Sequence, residues 1–425
     1  MGSEALARTM LALLIALAMG GCDGDADTDP CRGVRCSNHG SCVREGSAAR
    51  CDCDDGYLPS ELECVPPGSD GDSDADTDGG DGDVDEDLDA DSPVDGEVDR
   101  DGETDGDEIA DCPVRLGALP ALAAAGRVLA VALSEDGQRA FVVAHGVVVT
   151  FMVVDVSDPA APAELGRVAT EICGLCESGS VQVRGTHALF VAGNLGTEVV
   201  DVSNPAQPRI VHSVSAGRTG RSWRSALVGD RLYEAMREGG VRILDVSGLP
   251  AAAEISTVPN PPEHTVDVAA NETLAFGAFG RLEEQSGLFV FGVSDPAEPW
   301  RYGEVHTEPR VRAIELLGGN AYLGLDDVAA GLAVVDLANP MRPAVVASFP
   351  IGAVWALERV GEHLLAGGES LRILDLSDPT SPLLLAEAEG AGTVEGIAAR
   401  GTYVYVAAGA EGLEIFDVSC LGIEL

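Results

Sequence analysis

Lysine is absent from this chain of 425 residues, so all 26 basic side chains are arginines. The 71 acidic residues outnumber them and leave a formal net charge of −45, which argues against nucleic acid and anionic lipid surfaces as partners. Aromatic residues are also scarce at 4%, but a hydrophobic fraction of 45% is enough for a sizeable core. The length leaves room for two or three domains.

The sequence also lacks an apolar run long enough for a membrane helix. The run Met10–Met19 has only the length of a signal-peptide core. It ends in Met19-Gly20-Gly21-Cys22, which resembles the bacterial lipobox, although Leu is usual where Met19 stands. The resemblance implies that residues 1–22 are a lipoprotein signal peptide and that Cys22 is acylated; the alternative is an ordinary cleaved signal. We therefore predict a bacterial cell-envelope protein that is lipid-anchored in the outer membrane, either surface-exposed or periplasmic.

The cysteines support export. There are 11, an odd number that leaves a free thiol in an oxidising compartment unless Cys22 carries lipid. Six lie close together after an acidic spacer (residues 23–30), and this density predicts a disulfide scaffold for which spacing alone leaves fifteen pairings open. With Gly40 and the Gly56-Tyr57 pair at matching positions, residues 31–64 resemble an EGF-like module. The resemblance implies the pairs Cys31–Cys42, Cys36–Cys51 and Cys53–Cys64.

Residues 65–111 have a different composition. They hold 21 acidic residues against one arginine, with no apolar periodicity, so we predict a disordered Asp-rich linker that self-repulsion extends. Residues 74–79 match the start of an EF-hand loop, but position 12 would be Asp85 instead of Glu. We expect no cofactor, and at most weak, unspecific calcium binding by the linker.

One motif recurs seven times in the remaining chain, residues 112–425. It first appears as VVDVSDPAAP (153–162) and ends as IFDVSC (415–420). The third residue of each copy serves as a marker, and neighbouring markers are 39 to 47 residues apart, a period typical of repeat architectures. The markers are Asp155, Asp201, Asp245, Gly292, Asp336, Asp375 and Asp417.

Each repeat has the pattern of four β-strands. β-branched residues alternate with polar ones, and Gly, Asn, Asp and Pro separate the runs. Four-stranded units of this length are typical of propeller blades. The motif resembles the LVIVD family of β-propeller repeats, which implies an all-β, seven-bladed propeller of four-stranded blades without an agreed activity.

The last repeat is truncated, because only five residues follow Cys420. The segment after Cys112 reads like the missing continuation, so we expect the N-terminal strand to complete the last blade. Cys112 and Cys420 would then be neighbours in a disulfide worth roughly 5 kcal/mol by the chain-entropy relation.

Two motifs could carry chemistry. Asp-x-Ser-Asp-Pro could bind a metal or act in catalysis, but a device repeated seven times is better explained as a structural turn. Cys173 and Cys176 could be redox-active or half of a zinc site; without a thioredoxin-like pattern or a second ligand pair, we expect a disulfide between them.

Loops that enter the innermost strands usually carry a propeller's ligand site. Here they hold an arginine cluster that is unusual in an acidic domain and could bind a carboxylate or phosphate, with tryptophan stacking on a sugar. His264 and His306 could alternatively share a metal with Glu263 or Glu308, although we predict no metal and no catalytic residue. The candidate residues are Arg218, Arg221, Trp223, Arg224, His264, His306, Arg310 and Trp355.

The sequence therefore predicts a monomeric, non-enzymatic lipoprotein that presents a propeller surface for adhesion or assembly of surface components. Its expected partners are other envelope or extracellular proteins or glycans, and it meets the membrane only through the lipid anchor. The alternative is a hydrolase or lyase that acts on a polyanionic or glycan ligand at the loop face.

Overall fold

The computed structural model describes two units, Met1–Arg100 and Asp101–Leu425, each considered by itself. Within them, the described residues are 40–45, 48–53, 58–60, 63–65, 112–120, 125–172, 179–217, 220–259, 264–280, 285–388 and 391–425. None of the helices in these ranges is long and apolar enough to cross a membrane. Several predictions concern residues outside the ranges: the acylated Cys22, the pairs that involve Cys31 and Cys36, the linker 65–111 apart from Val65, the Cys173–Cys176 disulfide and Arg218.

The first unit contains two antiparallel hairpins. β1 (Gly40–Glu45) pairs with β2 (Ala48–Cys53), and β3 (Leu58–Ser60) pairs with β4 (Glu63–Val65). Their register sets Cys42 opposite Cys51. The EGF-like module remains a prediction from the cysteine pattern.

The described part of the second unit forms seven four-stranded antiparallel sheets, the blades A to G of a propeller. This confirms the all-β, seven-bladed fold. The first strands of neighbouring blades contact one another around the ring, so they are the innermost strands. The strands are β5 (Val114–Leu119); in blade A β6 (Arg127–Leu133), β7 (Arg139–His145), β8 (Val149–Asp155) and β9 (Ala163–Ala169); in blade B β10 (Val181–Arg184), β11 (His187–Val191), β12 (Thr197–Asp201) and β13 (Arg209–Val214); in blade C β14 (Arg224–Val228), β15 (Arg231–Ala235), β16 (Val241–Asp245) and β17 (Ala253–Val258); in blade D β18 (Thr265–Ala270), β19 (Leu274–Gly280), β20 (Ser286–Gly292) and β21 (Trp300–Thr307); in blade E β22 (Val311–Leu317), β23 (Asn320–Leu325), β24 (Leu332–Asp336) and β25 (Ala344–Phe349); in blade F β26 (Ala356–Val360), β27 (His363–Gly367), β28 (Leu371–Asp375) and β29 (Leu383–Ala388); and in blade G β30 (Gly396–Arg400), β31 (Tyr403–Ala407) and β32 (Leu413–Asp417).

Blade G is completed by the N-terminal strand of the domain. β5 pairs antiparallel with β32, so the first and last segments of the propeller share one sheet. A disulfide joins Cys112 to Cys420, the two cysteines that the sequence analysis pairs, across 308 positions of sequence. The ring is therefore closed both by strand pairing and by a covalent bond.

The hydrophobic core is divided among the junctions between blades. Seven clusters of buried side chains each combine residues of two neighbouring blades, including blades G and A where the ring closes. At the junction of blades A and B, the ring of Phe151 stacks on that of Phe190 at 5.7 Å. The runs before each marker are apolar because both faces of these strands are buried.

The repeated motif forms two successive turns in which a side chain caps the backbone. Six marker carboxylates accept a hydrogen bond from the backbone N–H two residues later, at 2.7–3.0 Å, whereas Gly292 has no side chain to do so. The next Asp or Asn of the motif repeats this bond at 3.0–3.3 Å in five blades. Hydrogen bonds from Ser203 lower the pKa of Asp201 to about 2, which keeps this acceptor ionised. These bonds support the structural interpretation of the motif.

The turns also dock the blades against one another. Gly117 lies so close to the next blade's turn that a Cβ there would stand 2.4 Å from the carbonyl oxygen of Pro159. Gly166 makes the same approach to Pro205 and Ala206, where a Cβ would come within 2.7 Å of backbone atoms. A glycine in the outer strand thus lets the neighbouring Asp-Pro turn pack directly on the backbone.

Candidate functional site

Strand order places the candidate loops and the repeated turns at opposite ends of the propeller. Consecutive strands of each blade are antiparallel, so the loop that enters the first strand lies at the same end as the hairpin between strands two and three. The Asp-Pro turn between strands three and four lies at the other end. We call the first end the opening face.

The opening face contains a cavity of about 270 Å³. Four arginines line it against one carboxylate, that of Glu395, although the whole chain is strongly acidic. The lining residues are Arg127, Leu129, His145, Gly179, Trp223, Arg224, Arg237, Arg312 and Glu395. We call this space the mouth cavity.

Arg224 forms the floor of the mouth cavity. It extends from blade C across the central channel, and its Nη2 donates to the carbonyl oxygens of Trp355 and Glu395, both at 3.0 Å, in blades F and G. The buried Nε of Arg224 makes no hydrogen bond with the described residues. Arg224 also lines the channel cavity of about 320 Å³ below, so its side chain separates the two spaces.

Asp326 organises the side of the cavity formed by blade E. One carboxylate oxygen accepts a hydrogen bond from Trp355 Nε1 at 2.8 Å. The other lies 3.6 Å from Arg310 Nη1 and 3.7 Å from Arg312 Nη1, so two guanidinium groups share one carboxylate. Burial and, after it, the positive charge of Arg310 lower the pKa of Arg312, and the positive charge of Arg224 lowers it further. The negative charge of Asp326 raises this pKa and so acts in the opposite direction. Positive charge on this side is therefore only partly balanced.

Arg312 is directed by an irregularity in its strand. The register of β22 against β23 skips one residue between Val311 and Ala313, so Arg312 is the extra residue of a bulge. β6 has the same irregularity at Leu129, which also lines the mouth cavity. Bulges re-aim a side chain that strict alternation would direct elsewhere.

Two further contacts define the rim. Arg127 pairs with Glu395 at 2.5 Å between blades A and G. The guanidinium carbon of Arg237 lies 3.9 Å from the ring centroid of Trp223, in cation–π contact. Arg237 is also the only non-glycine residue in the described part of the chain with a positive φ, 26°, a backbone conformation found often at functional sites.

The structure brings some of the predicted candidates together and leaves others apart. Trp223 and Arg224 line the mouth cavity, while Arg310 and Trp355 contact Asp326, which pairs with the lining residue Arg312. Arg221 and His264 both approach Glu238, at 2.7 and 3.8 Å. His306 lies on the outer strand β21, beside Glu304 at 3.4 Å and edge-on to Phe279, and does not line the cavity. Among the described residues, no three His, Cys, Asp or Glu side chains form a group that could hold a metal.

Sequence reasoning missed much of the cavity wall. Arg127 and Arg312 lie within or at the start of inner strands instead of the entering loops, and Arg237 lies in a hairpin before a marker strand. The one available signal was the presence of arginines near strand ends in an acidic domain. The closed ring of blades decides which of these arginines come together in the cavity, and the bulge in β22 decides the direction of Arg312.

The channel below Arg224 holds a second group of ionisable residues. Asp267, Glu315 and Glu358, from the inner strands of blades D, E and F, line it together with Arg359. Burial raises the pKa of Asp267 to about 6 and that of Glu358 to about 7, and it raises the pKa of Glu315 well above its usual value. Near neutral pH Glu358 therefore retains part of a proton that an exposed carboxyl group would release, whereas Asp267 is largely ionised.

The fold and its repeats define the class of protein: a seven-bladed propeller built from a degenerate motif. The family described as LVIVD repeat matches residues 140–170, 177–216, 310–350, 365–388 and 391–421. These five segments of the chain therefore match the LVIVD repeat, and a propeller with such repeats suggests a protein-interaction scaffold. The matched segments fall in blades A, B, E, F and G, and none falls in blades C and D.

Solved structures show the same fold at low identity. The structure of U3-55K and the WD40 repeats of RRP9 both have a TM-score of 0.55 at 11% identity, over 72% of this chain and 99% and 98% of theirs. Raptor of Chaetomium thermophilum has a TM-score of 0.57 at 11% identity, over 72% of this chain and 29% of its own. At this identity the similarity shows the fold alone. No curated protein matches the chain.

Proposed function

We propose that this protein is a non-enzymatic lipoprotein of the bacterial cell envelope whose propeller binds other surface components through its opening face, for adhesion or assembly. The lipid on Cys22 would anchor it, and the acidic linker would hold the propeller away from the membrane as a monomer. Its partners would be envelope or extracellular proteins or glycans.

The mouth cavity is the observation that carries this proposal. The opposite end of the propeller uses its repeated turns to pack neighbouring blades together, as Gly117 and Gly166 show. The opening face instead carries charged and aromatic side chains that differ from blade to blade. Arg221 and Trp223 are examples that the fold does not require at those positions.

The test compares two faces of the same full-length protein. Arg221→Ser removes a charge from the opening face, and Arg342→Ser removes one from the exposed turn that begins at Asn339-Pro340 at the opposite end. Both variants and the parent are used to capture partners from bacterial envelope fractions, after melting curves establish that each is folded. We expect Arg221→Ser to lose partners that Arg342→Ser retains. Equal capture by both variants, or no capture by the parent, would contradict the proposal.

An alternative function has one observation in its favour. The channel carboxyl groups of Asp267, Glu315 and Glu358 converge, and raised pKa values suit a general acid near neutral pH. A hydrolase or lyase acting on a polyanionic or glycan ligand could use them, although the side chain of Arg224 lies between them and the mouth cavity. Turnover of polyanionic glycans that Glu358→Gln abolishes would favour this alternative over the scaffold.

A further inference from the structure

Among the described residues, the mouth cavity contains more positive charge than neighbouring carboxylates neutralise. Glu395 is the only acid among the described lining residues and is already paired with Arg127 at 2.5 Å. Asp326 is shared by Arg310 and Arg312 at 3.6 and 3.7 Å, longer than a charge-assisted hydrogen bond. With Arg237 left out of the count and Asp267 of the channel below included, the described residues set four arginines (Arg127, Arg224, Arg310 and Arg312) against three acids.

The hydrogen bonds of Arg224 do not remove this excess. Its two acceptors are neutral carbonyl groups, and its Nε is buried without a hydrogen bond from the described residues. Its charge is balanced only in part, by Asp267. Even a partly buried cation of this kind costs free energy unless an anion accompanies it.

Arg312 experiences the same imbalance directly. Burial first, and then the charges of Arg310 and Arg224, lowers its pKa against the opposing charges of Asp326 and Glu395. An anion in the cavity would offset the repulsion among the arginine side chains. The planar guanidinium group of Arg312 presents paired N–H donors that match the oxygens of a carboxylate or phosphate. A volume of about 270 Å³ lies near the lower end of the range for ligand pockets, which favours a small ligand or the end of a larger one.

We propose that the mouth cavity is an anion-binding site that takes a small ligand through a carboxylate or phosphate group, with Arg312 and Arg224 as its main contacts and the Trp223–Arg237 pair as its wall. The proposal deepens the proposed function, because it rests on the opening face being a binding surface. Its test, however, needs no partner protein, so the two can fail separately.

The experiment measures melting of the purified full-length protein in low salt with inorganic phosphate, with succinate, or with sodium chloride at matched ionic strength. We expect phosphate, succinate or both to raise Tm beyond the effect of chloride, and titration calorimetry to show one site per chain. A shift with only one of the two anions identifies the preferred group, and a shift with both supports their shared chemistry. Equal shifts in all three salts, or none, would overturn the proposal.

Variants locate the site. Arg312→Gln should weaken binding at least tenfold, the size of one lost charge-assisted hydrogen bond. It should also melt no lower than the parent without anion, because it removes a repelled charge, whereas an ordinary structural arginine would lower Tm. Arg342→Gln, an equal loss of charge at the other end, should keep full affinity. If Arg312→Gln does not fold, Arg127→Gln provides the second test. It leaves the Glu395 carboxylate without its partner and facing the anion, so the affinity should fall. Full affinity in the folded Arg127→Gln variant would refute the site.

Discussion

Arg242 and Glu234 form an ion pair inside blade C. Substitution of either residue tests how much an unpaired buried charge lowers the free energy of unfolding. They lie opposite each other on β16 and β15 and are only 2% and 0% exposed. Arg242 Nε donates to Glu234 Oε2 at 2.6 Å, and Nη1 donates to the carbonyl oxygen of Ser215 at 2.6 Å. Burial raises the pKa of Glu234, and Arg242 opposes that effect.

Arg242→Met should be strongly destabilising, because it keeps the bulk of the side chain but leaves the Glu234 carboxylate buried without its cation. Breaking a buried pair in this way costs about 3–5 kcal/mol. Replacing both residues, Arg242→Met with Glu234→Leu, should recover most of that loss, since an apolar pair of similar volume has no charge to desolvate. The difference between the single and double variants isolates the unpaired charge from the change in packing.

The pH dependence has a definite sign. Without Arg242, the folded-state pKa of Glu234 rises further above its unfolded value, so the folded variant holds a proton that the unfolded chain releases. The stability deficit relative to the parent should therefore be smaller at pH 5 than at pH 8. Urea unfolding followed by tryptophan fluorescence measures both deficits, with Arg342→Met as a surface control. A loss below about 1 kcal/mol, or one that does not change with pH, would refute the reasoning.

Two further predictions concern ring closure and the channel. Replacing Cys112 and Cys420 by Ser should lower the free energy of unfolding by between about 5 and 6 kcal/mol, which is the chain-entropy value for a loop of 308 residues. Adding reductant to the parent should have the same effect in urea unfolding. A change below about 1 kcal/mol would show that strand pairing alone closes the ring. Because the pKa of Glu358 is raised to about 7, the stability that its proton provides is present at acidic pH and is lost as pH rises through about 7. Glu358→Gln should flatten this fall in thermal unfolding between pH 5 and 8, whereas the exposed Glu362→Gln should leave it unchanged; identical profiles would exclude Glu358 as its source.

The fold could be predicted because each repeat contains its own turn chemistry. The Asp and Asn side chains of the motif bond to backbone groups two residues away, as at Asp155 and Asp158, so the signal is local and survives in most copies. Counting the copies gave the number of blades. The truncated copy at Cys420 indicated which strand had to return from the other end of the domain, and β5 occupies that place.

The mouth cavity could be predicted only in part, because its residues meet through the ring and not through the chain. Arg224 contacts backbone groups 131 and 171 positions away, and Asp326 joins Arg312 to Trp355 across two blades. No periodicity connects such positions. Arg312 adds a second difficulty, since the bulge in β22 breaks the alternation from which its direction would be inferred.

The segment without an LVIVD match supplies part of the candidate site. The LVIVD matches omit residues 217–309, the segment that holds Trp223, Arg224, Arg237 and Asp267. Blade C supplies the cation that spans the channel and the cation–π pair on its wall, while Gly292 of blade D has replaced the marker carboxylate. Closure of the ring tolerates this loss, because the junctions of both blades keep their buried apolar clusters. Blade C therefore supplies part of the mouth cavity wall from residues outside the matched repeats, and substitution of Trp223 or Arg237 should change ligand recognition more than stability.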